Sequence, residues 1–192
     1  NIKTPGVHFE KTGMPAIYAN LDDSLVLNLA SSLVFSLILI LICMLFLVKS
    51  FRGALTGMLP LLFSMAIIFG FMGFAGIALD IATVLIASIT VGAGIDYSIH
   101  FVTTYRSFMR QGYAIDDAIR ATLTSSGKAI VINVVTIILG FLVLNFANLI
   151  PLQQFGILIA LTMLTSGFAA LTLLPAAISL YKLTFIPKKK TK

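Results

Sequence analysis

Apolar residues run in five long blocks along the chain, about 24–48, 54–78, 81–105, 128–148 and 152–180, and charged residues gather at the joints between them. A bilayer core takes about 20 apolar helical residues to cross, so each block predicts a transmembrane helix. Together they predict an all-α membrane protein, a bundle of five spans occupying 24–182. The last block is long enough to extend past the bilayer at one end. The joints near 78–81 and 148–153 are short, which predicts tight hairpins between spans two and three and between spans four and five. The joint from Arg106 to Gly127 is longer. In its stretch AIDDAIRATLT, Ile115, Ile119 and Leu123 recur at i, i+4 and i+8, the pattern of a short helix over 114–124 lying along the membrane surface.

Composition strengthens this picture. The 192 residues are 59% hydrophobic and 10% charged, against roughly a quarter charged in soluble domains, and no soluble core of this size could bury so much apolar surface. Residues 1–23 contain the turn signals TPG and TGMP and are expected to be the end of an external domain entering the first span. The chain starts at Asn1 without the basic and apolar regions of a signal peptide, so it is expected to be a piece of a longer polypeptide.

The net charge of +6 does not point to nucleic acid, because the basic residues cluster at span ends. With the N-terminal segment outside, the inner side carries Lys49, Arg52, Arg106, Arg110, Arg120, Lys128, Lys182 and the lysines of a basic tail over 183–192. Only Lys3 and Lys11 remain outside. This asymmetry predicts an external N-terminal end and a cytoplasmic tail in a cell (inner or plasma) membrane. The tail could also touch anionic headgroups. The single cysteine, Cys43, falls within a span and excludes an internal disulfide.

Small residues mark faces on which helices could pack closely. Gly53 and Gly57 are four apart, as are Ala66 and Gly70, with Gly73 and Gly76 following at threes. Gly92 and Gly94 are expected to allow close packing beside Asp96, and Gly140 to do so on the next span. Pro60 and Pro175 are expected to kink or end their helices.

The stretch VGAGIDYSIHF, residues 91–101, places an ionisable group inside the third span. Asp96 is ten residues from Arg106, roughly 15 Å along a helix, which puts it near mid-bilayer. Asp80 would sit at the water interface and needs no further account. A carboxylate at the bilayer centre costs about 2.5–3.5 kcal/mol even on insertion scales, so it needs a partner, a cavity or a use. Gly92, Asp96, His100 and Thr103 share one helix face. Tyr97 lies about 100° around from Asp96. On the fourth span Asn133, Thr136 and Gly140 form a second polar or small stripe at the same depth, which predicts that the third and fourth spans face each other there.

The spans contain no fixed cation to hold Asp96 ionised, so proton exchange suits it better than a static ion pair, with a structural interhelical hydrogen bond as the alternative. Asp96 and Tyr97 are therefore the candidate proton relay, and His100, Asn133 and Thr136 its candidate support. His8 and His100 are far apart and lack a surrounding cysteine or carboxylate cluster, so no metal site is expected. No cofactor motif and no nucleophile–base arrangement is present, and an enzyme is not expected.

These residues carry a resemblance. GIDYSIHFVTTYRSFM resembles the fourth or tenth span of the RND superfamily, above all its MMPL-like, hydrophobe-exporting branch. TSSGKAIVINVVTIILGFLVL resembles that family's next span, FGILIALTMLTSGFAALTLLPAAI its final span, and TGMPAIYANLDDSL the exit from its external porter domain. The resemblance implies one half of a pseudo-twofold transmembrane domain, here spans eight to twelve of a proton-driven exporter of lipids or other hydrophobic or amphiphilic molecules. It further implies that the Asp-Tyr pairs of the two halves meet near the axis, assigning Asp96 and Tyr97 to the relay of this half. The implied partners are the other half and porter domains of the same polypeptide, membrane lipids, a hydrophobic or amphiphilic substrate, and possible further copies in an oligomer. A Patched-like sterol- or lipid-sensing bundle is a second reading, and a SecF-like protein-export subunit a third.

Overall fold

The structure, a computed structural model, describes residues 14–77 and 81–182, with the side chains of 14–27, 29, 81–85 and 87 excepted. Residues 1–13 of the expected porter-domain exit (1–23), Asp80 and the basic tail after Lys182 lie outside the described residues. Six α-helices follow in order: α1 (Met14–Val48), α2 (Phe51–Ala75), α3 (Ile81–Arg110), α4 (Ile115–Thr122), α5 (Lys128–Leu142) and α6 (Ile150–Tyr181). A π-helical turn, Leu123–Gly127, joins α4 to α5, and a 3₁₀ turn, Val143–Phe146, extends α5. Among the described residues four helical runs are long and apolar enough to cross a membrane: Ala30–Val48, Phe51–Ala75, Ile115–Phe146 and Ile150–Tyr181. The fold is an all-α membrane bundle.

Helix α6 is the centre of the bundle and packs against α2, α3 and α5, while α1 lies against α2 and α3. Hydroxyls tie these neighbours together. Ser64 Oγ on α2 donates to the Thr162 carbonyl of α6 at 3.3 Å and lies 2.9 Å from Thr165 Oγ1. Thr90 Oγ1 on α3 lies 3.2 Å from Thr162 Oγ1, and Ser166 Oγ donates to the Gly94 carbonyl at 3.0 Å. Such bonds matter in lipid, where no hydrophobic drive brings helices together. Gly94 permits a close approach: a Cβ there would lie 2.9 Å from Leu61 Cδ1 and 3.5 Å from Ser166 Oγ. The chain two residues before Asp96 is thereby clamped between α2 and α6.

At one end of the bundle Lys49 and Ser50 alone separate α1 from α2. Ser50 caps α2 by accepting from the Gly53 N–H at 3.4 Å. The buried Arg106 of α3 donates through Nη1 to the Leu47 carbonyl, placing a cation at the C-terminal end of α1, where the helix dipole favours it.

Several sequence expectations are revised. Helix α1 begins at Met14 instead of near 24, since nothing breaks it over that stretch and Pro15 sits in the first turn, where proline is tolerated. The short helix expected over 114–124 is present as α4, and winding continues from it through the π turn into α5. Its apolar stripe faces protein: Ile119 is buried in the cluster containing Phe101, Tyr105 and Ile178, with Ile115 and Leu123 packed against it. Neither proline ends a helix; Pro60 and Pro175 are buried inside α2 and α6. Gly53 and Gly57 are buried, but Gly70 and Gly73 meet no neighbour within 4 Å, and Gly76 instead ends α2 at φ +66°.

Candidate functional site

Asp96 and Tyr97 are adjacent in sequence, so a helix sends them roughly 100° apart. Asp96 stands on the exposed surface of the bundle, whereas Tyr97 turns inward and is only 4% exposed. Beside them is a cleft of about 270 Å³ between α3 on one side and α5 with the π turn on the other, with Met163 of α6 among its lining. Asp96, Tyr97, His100, Ser126 and Asn133 supply its polar groups.

The Tyr97 hydroxyl donates to Asn133 Oδ1 at 3.1 Å and lies 3.6 Å from Met163 Sδ. Its ring packs in the cluster that includes Ile130, Val134, Leu158 and Ile159. Among the described residues no side chain hydrogen-bonds the Asp96 carboxylate or the His100 ring. Helices α3 and α5, the expected third and fourth spans, line the cleft from opposite sides and meet through Tyr97 and Asn133, with α6 packed against both.

The remaining residues singled out by the sequence divide into two groups. Asn133 lines the cleft. Thr136 is exposed and donates to the Ile132 carbonyl of its own helix at 2.8 Å, and it is not part of the cleft lining. Gly94 lies in the α2–α3–α6 contact already described. Gly92 and Gly140 are exposed, with nothing within 4 Å of a Cβ at either; they do not pack helices within this bundle. Gly92, Asp96, His100 and Thr103 on α3 thus form one exposed polar or small stripe, and Asn133, Thr136 and Gly140 on α5 form another.

Sequence reasoning missed Ser126, Thr104 and Met163. The signal for Ser126 was present: Ser126, Ile130, Asn133 and Ile137 recur at four, three and four and all line the cleft. A break placed before Lys128 concealed that periodicity.

A multi-pass all-α membrane bundle, with an exposed polar stripe on a face of α3 and a cleft beside it, is the class these elements define. The chain belongs to the MMPL family, whose model matches residues 2–192. It is 32% identical over 183 residues to the putative membrane protein MJ1562 of Methanocaldococcus jannaschii, a match covering 95% of this chain and 47% of that protein. It is 35% identical over 105 residues to the sulfolipid-1 exporter MmpL8 of Mycobacterium tuberculosis, covering 54% of this chain and 10% of the exporter. With the apo-petrobactin exporter of Bacillus anthracis it shares 28% identity over 161 residues, 78% of this chain and 22% of that one. The chain spans about half the length of the first of these relatives and much less of the other two.

Proposed function

We propose that this chain is one transmembrane half of a proton-driven exporter of lipids or other hydrophobic or amphiphilic molecules, with Asp96 and Tyr97 as its proton relay. The observation that carries this reading is the position of Asp96: an exposed ionisable group on α3 that lines the cleft beside Tyr97, without a side-chain hydrogen-bond partner among the described residues. A carboxylate facing lipid is costly, and intramembrane acids of this kind mark ion and proton pathways. The printed names of the sulfolipid-1 and apo-petrobactin exporters support the transport class.

In this reading a second, equivalent bundle from the same polypeptide covers the two exposed stripes and brings its own relay against Asp96. The carboxyl takes a proton from the external side, becomes neutral and tolerates the bilayer interior, then releases that proton to the cytoplasmic side. Tyr97 contributes a hydroxyl on the cleft side, oriented by Asn133. Gly92 and Gly140 let the facing bundle approach closely. Substrate handling belongs to external porter domains, and the basic span ends set the N-terminal end outside and the tail in the cytoplasm.

The test is proton flux. Full-length protein carrying wild-type sequence or Asp96→Asn is reconstituted in liposomes and a pH gradient is imposed. Asparagine keeps the size and hydrogen bonding of aspartate but does not titrate. Flux that falls to background in the variant, with folding and ligand binding retained, supports the relay. Unchanged flux overturns it and moves the lipid-sensing reading ahead.

A further inference from the structure

Exposed residues of both stripes, Asp96, His100 and Asn133, line the cleft, and at Ser126 a hydroxyl pair joins its two walls. Thr104 Oγ1 on α3 and Ser126 Oγ in the π turn lie 2.6 Å apart, one donating to the other. Thr104 is eight residues beyond Asp96 and four beyond His100, roughly 12 Å and 6 Å along the helix toward the loop at 111–114. Ser126 itself lines the cleft.

This bond is unlike its neighbours. Thr124 donates to the Arg120 carbonyl at 3.1 Å and Ser125 to the Ala121 carbonyl at 2.8 Å, both within their own helical run. On α3, Thr103 bonds back to the Ile99 carbonyl at 2.7 Å. Of three consecutive hydroxyls in the turn, Ser126 is the one that crosses to α3. The π turn has the geometry to send it there, and π turns recur at functional sites because they re-aim a side chain without ending the helix.

A hydroxyl–hydroxyl bond between helices is individually weak in a membrane. Rotating either side chain breaks it, and both freed hydroxyls bind water equally well. Beyond it, on the loop side, lie Arg106 and Arg110 of α3 and Arg120 of α4.

We propose that Ser126 and Thr104 form the inner gate of the proton route, a role that rests on the relay reading of Asp96. With the bond made, the cleft is sealed from the solution beside the 111–114 loop. With it broken, water joins Asp96, past His100, to that solution. The step balances simply: the carboxyl O–H of Asp96 breaks, its proton passes to cleft water, one proton leaves the water chain beyond Ser126, and Asp96 is left as carboxylate. No bond to Ser126 or Thr104 is made or lost overall.

Two measurements on the full-length protein, freed of its native cysteines, test the gate. In the first, Ala129→Cys, on the cleft wall, is labelled by a membrane-impermeant maleimide supplied on the side of the 111–114 loop. Adding Ser126→Ala or Thr104→Val is expected to raise the labelling rate several-fold. In the second, Thr104→Cys and Ser126→Cys are combined: oxidation is expected to stop proton flux and reductant to restore it. Unchanged labelling, or full flux through the cross-linked protein, overturns the gate. If flux survives Asp96→Asn, the relay reading fails, and labelling alone then decides whether this pair closes the cleft.

Discussion

The hydroxyl of Tyr97 donates across the cleft to Asn133 Oδ1 at 3.1 Å, joining α3 to α5 at the depth of Asp96. Tyr97 is almost wholly buried, and among the described residues Asn133 is the oxygen acceptor of its hydroxyl. Asn133→Leu leaves it with only the Met163 sulfur, a weak acceptor. Stranding a buried donor costs about 1–3 kcal/mol, and a lowered Tm of the purified protein is expected. Tyr97→Phe removes the donor together with its need and is expected to lower Tm less, while reducing proton flux as strongly. Thermal unfolding of both variants, alongside flux, checks the ordering.

Asp96→Asn is expected to leave stability within about 0.5 kcal/mol of wild type, as for exposed substitutions that break no network. The carboxylate makes no side-chain hydrogen bond among the described residues, so nothing that holds the bundle together is lost. Unfolding of the purified variant measures this. A large drop in Tm would mean that the aspartate is helix glue.

Two glycines two residues apart are expected to respond oppositely. Gly94→Leu forces a side chain into the space held by Leu61 and Ser166, and overpacking of this kind costs about 1–3 kcal/mol. Gly92→Ala meets nothing within 4 Å and is expected to leave the Tm of the bundle unchanged. Under the proposed two-half arrangement it nevertheless impairs transport by holding the facing bundle away.

Arg106→Gln is expected to destabilise the protein by about 1.5–3 kcal/mol, the range for hydrogen bonds made by charged groups. The substitution takes the guanidinium from the Leu47 carbonyl. Lysine at 106 is expected to recover only part of the loss, since it lacks the planar fork of donors. Equilibrium unfolding of the two variants in detergent tests the difference.

Helix ends were legible where charge marks them: α1 ends beside Lys49, α2 starts beside Arg52, and α3 runs to Arg110. Asp96 was legible for the same reason in reverse, as a charge where none belongs. The neighbours of each face were not. Ala66, Gly70 and Gly73 repeat at helical spacing as Gly53 and Gly57 do, yet one set is exposed and the other buried, because spacing shows that a face is small without showing which helix covers it. The π turn was hidden as well. LTSSGK reads as a helix break by composition, but its hydroxyls bond back to carbonyls at Arg120, Ala121 and Thr122 and carry the winding through.

That turn also sets the azimuth of everything after it. One residue of extra winding rotates the following helix by about 100° relative to an uninterrupted α-helix. Asn133 meets Tyr97, and Thr136 and Gly140 share the outer face with Asp96, only in the phase the turn leaves them. The five residues from Leu123 to Gly127 therefore act as a phase-setter for α5, and their number matters more than their identity. Removing one of them would leave every side chain of α5 intact and aim its polar stripe away from the cleft.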